Sequence, residues 1–252
     1  AIRERRALAN DLKDAVAAGE LDVFFQPQAL VESREIFGYE ALARWNHPHL
    51  GWVPPDTFIP IAEENGLIIQ LGELVLRRAC ESAARWAVPH AIAVNVSAVQ
   101  IGHTDLPGAV RSALADSGLS PDRLELEITE TVLIDDPDRA LSVLQQLKSI
   151  GVSVAMDDFG TGYSSLSSIL SFSFDKIKID RSFVKDLGDS ADALAIIRAV
   201  SGLANSLGIA TTAEGVETDG QLRKVHGEGC TEAQGFLFSQ PAPAKEVPEL
   251  LE

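Results

Sequence analysis

Cysteine is almost missing from this chain. Cys80 and Cys230 stand far apart, so there is neither a disulfide framework nor the paired spacing of a thiolate metal site. That usage fits a reducing compartment, and a cytoplasmic location is the expectation. Positive charge is also scarce: 21 Lys and Arg face 37 Asp and Glu, a net charge of -16. Such a balance argues against non-specific binding to a nucleic-acid polymer or an anionic membrane surface. An anionic substrate would need local cations, and bound metal ions are the source a carboxylate-rich chain offers. Long apolar runs are lacking too; none approaches the ~18 to 20 residues of a membrane span. The opening Ala1-Ile2-Arg3-Glu4-Arg5-Arg6 has no signal-peptide core and no initiating Met. Leu8, Leu12 and Val16 follow at helical spacing before Gly19. Residues 1–20 are therefore expected to be a helix or linker from an upstream domain, and 21–252 the domain proper.

What is present suits one large α/β unit. The 252 residues are 46% hydrophobic and 23% charged, enough to bury a core of the size that barrels of about 250 residues use. Strand patterns fall near residues 21–28, 36–45, 92–97, 124–129, 152–157, 176–180, 209–215 and 233–238. Helical patterns lie between most of them: Thr57 to Glu64, Leu71 to Trp86, Leu106 to Ala115, Arg139 to Ser149, Ala191 to Leu207 and Gln221 to His226. Strands alternating with helices predict a modified TIM (β/α)8 barrel. The link from the first strand to the second, Val31 to Glu35, is too brief for a helical crossover, so the first strand should run antiparallel.

The polar residues of the strands carry the chemistry. In Leu124 to Thr129, Leu124, Leu126 and Ile128 point one way while Glu125, Glu127 and Thr129 point the other. The same alternation puts Asn95, Asp157, Lys178 and Glu214 on polar faces near the ends of their strands. In a barrel, reactive groups gather at those C-terminal ends. Asp157-Asp158 then passes into Phe159-Gly160-Thr161-Gly162-Tyr163-Ser164-Ser165, whose glycines let a loop fold over a ligand. Adjacent carboxylates suit a pair of metal ions about 3.5 to 4 Å apart, and oxygen and amide donors favour Mg or Mn over zinc.

Each feature has a plainer reading when taken alone. An Asp-Asp pair before a glycine turn is commonly a helix cap or a solvated loop. Glu127 and Glu130 could be a strand-end charge and a capping group; Asn95 could satisfy a turn, and Lys178 could be a structural ion-pair partner. His47 and His49 sit in a proline-rich turn without ligand spacing. The coincidence of position is what points to a site, because polar groups from five strands on one inward face are costly unless paired or bound to ions.

Taken in order, the residues resemble the EAL domain family. The signature stands as Glu40-Ala41-Leu42-Ala43-Arg44-Trp45, followed by Asn95-Val96-Ser97, Glu127-Ile128-Thr129-Glu130, Asp157-Asp158-Phe159-Gly160-Thr161-Gly162-Tyr163-Ser164-Ser165-Leu166, Lys178-Ile179-Asp180, Ala213-Glu214-Gly215-Val216-Glu217 and Gln234-Gly235-Phe236. The similarity runs from about Leu21 to Leu251. Thr131, Met156 and Phe236 replace a common Ser, Leu and Tyr, and the position after Gln26-Pro27, here Gln28, varies.

The resemblance implies a metal-dependent phosphodiesterase that cuts cyclic di-GMP to linear pGpG. It implies two divalent cations, with Glu40, Asn95, Glu127 and Asp157 as ligands of one, and Asp157, Asp158 and Glu214 holding the second. Lys178 would lie beside the attacked phosphate, and Glu214 is also a candidate general base. Glu130 would anchor the loop after Asp158, while Gln26, Arg44, Asp180, Glu217 and Gln234 would line the substrate site. A homodimer and an upstream sensory or GGDEF domain are the implied partners. The competing readings are a catalytically weak cyclic di-GMP receptor and, from a different class, a Schiff-base aldolase built on Lys178.

Overall fold

Short connections and alternating strands close a sheet on itself. The computed structural model describes residues 2–160, 172–188 and 191–247. Helix α1 (Ile2–Ala18) leads into strands β1 (Asp22–Leu30), β2 (Ile36–His47) and β3 (Gly51–Val53), then helices α2 (Pro55–Glu64) and α3 (Ile68–Ala84). Strand β4 (Ala91–Val96), helices α4 (Ala98–His103) and α5 (Leu106–Ser117), and strand β5 (Leu124–Thr129) follow. Next come α6 (Val132–Asp135), α7 (Pro137–Ile150), β6 (Ser153–Phe159), β7 (Lys176–Ile179) and α8 (Arg181–Lys185). The order ends with α9 (Ala191–Leu207), β8 (Ala210–Ala213), α10 (Asp219–Gly227), β9 (Glu232–Gln234) and β10 (Ala242–Pro243).

The sheet order is β10-β1-β9-β8-β7-β6-β5-β4-β2-β3, and an extra β1 to β2 pairing joins the ends into a ring. Strands β2, β4, β5, β6, β7, β8 and β9 run parallel around it. Strand β1 is antiparallel to both of its ring neighbours, β2 and β9, as the brief Val31–Glu35 link requires. Pro27, which lacks a backbone donor, falls between the residues of β1 that pair with β10 and those that pair with β9. The short strands β3 and β10 extend the ring at one end.

Sidedness follows the alternation. Leu124, Leu126, Ile128, Val154, Met156, Ile177 and Ile179 are fully buried in the apolar core, each contributing about 1.5 to 3 kcal/mol by leaving water. Helix α3 shows the matching stripe, burying Leu71, Val75, Leu76, Ala79, Cys80 and Ala83 while Arg77 and Glu81 stay exposed. Helix α1 packs on the same unit: Leu12, Ala15 and Val16 are buried, Arg5 pairs with Glu64 of α2 at 2.7 Å, and Asp11 meets His47 of β2 at 3.2 Å. No helix among the described residues is long and apolar enough to cross a membrane.

The opposite strand faces form a polar lumen. In its lower layer, Lys176 pairs with Glu125 at 2.8 Å and Glu232 at 3.0 Å, and Thr212 Oγ1 donates to Glu232 at 2.7 Å. A second polar layer lies above it, toward the C-terminal strand ends.

Candidate active site

The upper layer converges on one cation. Lys178 of β7, 0% exposed, places Nζ 2.7 Å from Glu127 Oε2 of β5, 2.8 Å from Glu214 Oε1 just past β8, 3.3 Å from Asp157 Oδ2 of β6 and 3.8 Å from Glu40 Oε1 of β2. Parallel register makes this possible: Asn95 lies beside Glu127, and Thr129 beside Asp157. Asn95 Nδ2 donates to Glu40 Oε1 at 2.6 Å, and Gln234 Nε2 donates to Glu40 Oε2 at 2.5 Å and to Gln26 Oε1 at 3.0 Å. Eight sequence-selected residues, Gln26, Glu40, Asn95, Glu127, Asp157, Lys178, Glu214 and Gln234, therefore meet at one mouth of the barrel.

Crowded carboxylates disturb one another's protonation. Burial alone would push the Lys178 ammonium down, yet Asp157, Glu127, Glu214 and Glu40 together hold it well above the ordinary lysine value. Burial works to raise Glu40, but Lys178 and the amides of Gln234 and Asn95 bring it below the usual carboxylate range. Glu127 goes well up, because burial and the Glu40 and Asp157 charges outweigh Lys178. Glu214 is pushed up to about 8 by burial, with Asp157 and Glu40 adding to it against the pull of Lys178.

Asp158 sits at a break in the β6 register, between the residues Met156 and Phe159 that pair with β7. Its φ of 54° lies in the left-handed region, a conformation that Asp tolerates better than most residues, and its backbone N–H donates to Asp157 Oδ1 at 2.9 Å. Lost hydration and the Asp157 and Asp180 carboxylates raise its pKa. Asp157, Asp158 and Glu214 each offer an oxygen within 4.8 Å of the others. The donors fit hard divalent ions: they are carboxylates plus one amide, and only the ammonium of Lys178 offsets their charge within the ring. A cation placed there would relieve the repulsion that raises these pKa values.

The family profile of the EAL domain matches residues 9–241. The chain belongs to the EAL domain family. Over 242 residues it is 55% identical to an uncharacterized signaling protein of Caulobacter vibrioides, covering 96% of this chain and 30% of that protein. Identity to MucR of Pseudomonas aeruginosa, a bifunctional diguanylate cyclase/cyclic di-GMP phosphodiesterase, is 41% over 249 residues, 97% of this chain and 36% of MucR. The solved MucR phosphodiesterase in complex with c-di-GMP matches with a TM-score of 0.91 at 40% identity, covering 96% of this chain and 99% of that one. This EAL domain thus spans only 30% and 36% of the lengths of these two curated relatives.

The remaining expected residues of the EAL domain take other positions. Arg44 lines a cavity of about 440 Å³ with Asn95, Thr129 and Asp158, and its guanidinium lies 5.6 Å from the centre of the Phe24 ring. Asp180 caps α8, accepting from Ser182 N at 3.0 Å. Glu217 is exposed on the link to α10, where its backbone N–H donates to Gln221 Oε1 at 2.9 Å. Glu130 is buried at the end of β5, and the loop residues Thr161 to Leu166 lie outside the described residues. Gly235 turns the chain after β9, earlier than the strand pattern to 238 predicts. It approaches the segment after β8 closely: any Cβ there would overlap the Val216 backbone.

Sequence reasoning missed Gln28 and the lower layer of Lys176, Glu125 and Glu232 as lumen partners. Their alternation was visible, but their cross-strand pairing depends on the stagger of a closed ring.

Proposed function

We propose that this EAL domain hydrolyses cyclic di-GMP to linear pGpG with two divalent cations, Mg or Mn. The observation that carries the reading is the ring of Glu40, Glu127, Asp157 and Glu214 around the Lys178 ammonium, bordered by Asn95 and Asp158, which with Arg44 line a neighbouring cavity. Glu40, Asn95, Glu127 and Asp157 form one donor set; Asp158 and Glu214 complete a second with Asp157. When bound, divalent cations supply Lewis-acid charge at phosphate oxygens and acidify water toward neutrality.

The chain's own groups do the rest. Arg44 holds a phosphate by paired hydrogen bonds, and Gln26, Asp180, Glu217 and Gln234 hold the remaining nucleotide. Lys178 offsets the charge that grows on the phosphate oxygens as a water oxygen attacks phosphorus in line with the departing sugar oxygen. Glu214, where it is not engaged as a ligand, is the carboxylate placed to accept the water's proton and pass it to the departing sugar oxygen. One P–O bond forms and one breaks, the sugar oxygen ends protonated, and the ring opens. Glu130 anchors the loop that begins after Asp158.

In the same reading the domain works as a cytoplasmic homodimer, with residues 1–20 connecting it to a sensory or GGDEF domain in a longer chain. The pairing of cyclase and phosphodiesterase activities in MucR supports the cyclase-type partner in a longer chain. Incubation of purified protein with cyclic di-GMP and Mg or Mn, followed by chromatography, should yield pGpG, and EDTA should stop it. Tight binding without product at saturating metal would make the domain a receptor and overturn the proposal.

A further inference from the structure

Gln28 stands on β1 at a rung of the lumen, paired with Gln234 of β9 on one side and Gly38 of β2 on the other. It is 1% exposed. An amide buried this deeply is costly unless its donors and acceptor find partners. Gln28 Nε2 donates to Gln234 Oε1 at 3.1 Å and reaches Glu127 Oε1 at 3.5 Å. Gln234 Nε2 then donates to Glu40 Oε2 and Gln26 Oε1, and Gln26 Nε2 donates to the Ser239 carbonyl at 3.3 Å. Three glutamine amides thus run in one direction from the lumen to the rim.

Charge sets that direction. An ionised Glu40 can only accept hydrogen bonds, so Gln234 must present its NH2 to Glu40, which turns its Oε1 toward β1. Only a donor can face that oxygen, and Gln28 supplies it.

We infer that Gln28 is a positioning residue: it locks the Gln234 amide in the orientation that holds Glu40, readying that carboxylate for a divalent cation. The inference rests on the metal-dependent reading proposed above. Partners that orient metal-binding carboxylates are worth about 10 to 100-fold in metal affinity or activity.

The test is calorimetric titration of metal-stripped protein with Mn²⁺, alongside kinetics on cyclic di-GMP. The variants are Gln28→Leu, which removes the donor at similar volume, and Gln28→Asn, which keeps an amide one methylene short of Gln234. Each should weaken Mn²⁺ binding about tenfold and lower kcat, with saturating Mn²⁺ restoring part of the loss. The double variant Gln28→Leu/Gln234→Leu should bind no more weakly than Gln234→Leu alone, because the two act as one unit. Mn²⁺ affinities within twofold of wild type for a folded Leu or Asn variant, or fully additive losses in the double variant, would overturn the inference. A wild-type protein that makes no pGpG would fell the hydrolase reading, and the Mn²⁺ titrations would still decide the role of Gln28.

Discussion

Lys178 Nζ and Glu214 Oε1 meet at 2.8 Å, tying β7 to the residue just beyond β8. That contact belongs to a buried cluster whose other charged members are all acids. Replacing Lys178 with Met should therefore destabilise the metal-free protein by about 3 to 5 kcal/mol, the usual cost of stranding buried charge. Saturating Mg should recover more stability in the variant than in wild type. Thermal melts with and without Mg check this, and a variant that melts with wild type in EDTA would contradict it.

Glu40→Ala and Asp157→Asn are expected to keep the fold, because neither side chain packs in the apolar core, yet to lose metal binding. Turnover should fall by at least about a hundredfold. Circular dichroism paired with Mn²⁺ titration gives the readout. Near wild-type rates in saturating Mg would remove both residues from the donor set.

Glu214 makes the metal-free protein sensitive to pH. A carboxyl raised to about 8 in the folded state contributes stability that is full below the unfolded value and lost as pH rises through about 8. Metal-free wild type should therefore lose more stability between pH 6 and 9 than Glu214→Gln does. Metal binding at pH 7 should also release a proton, visible as a dependence of calorimetric enthalpy on buffer ionisation. Proton-neutral binding would refute the assignment.

Asp158 combines a left-handed backbone with a raised pKa. Glycine there should stabilise the metal-free chain by about 1 kcal/mol, relieving strain and like-charge repulsion together, while metal affinity and turnover drop. Urea unfolding beside Mn²⁺ titration separates the two effects. A loss of stability would show that the aspartate makes contacts worth more than its strain.

Much of this arrangement was legible in sequence because a strand repeats every two residues: the period alone put Glu127, Asp157 and Lys178 on polar faces. The antiparallel start of the ring followed from the length of Val31 to Glu35. Strands β3 and β10 were not legible, since three and two residues carry no period. Helix α4 is only six residues long; its Ser97 to Gln100 capping box was a usable signal that the apolar pattern overshadowed. The ties of Gln28 to Gln234 and of Lys176 to Glu125 and Glu232 could not be read, because they depend on which residues of distant strands share a rung. Roles for Asp180 and Glu217 came from family likeness, and their local backbone duties emerged only with the fold.

The reversed β1 changes how the chain is wired into its own chemistry. Most (β/α)8 chains begin at the base, but here Asp22 starts β1 opposite Arg44, at the end where the acids assemble. A displacement of α1 would therefore reach Arg44 after only a few residues, without crossing the sheet. The foot of α1 and the acid cluster share one mouth of the barrel.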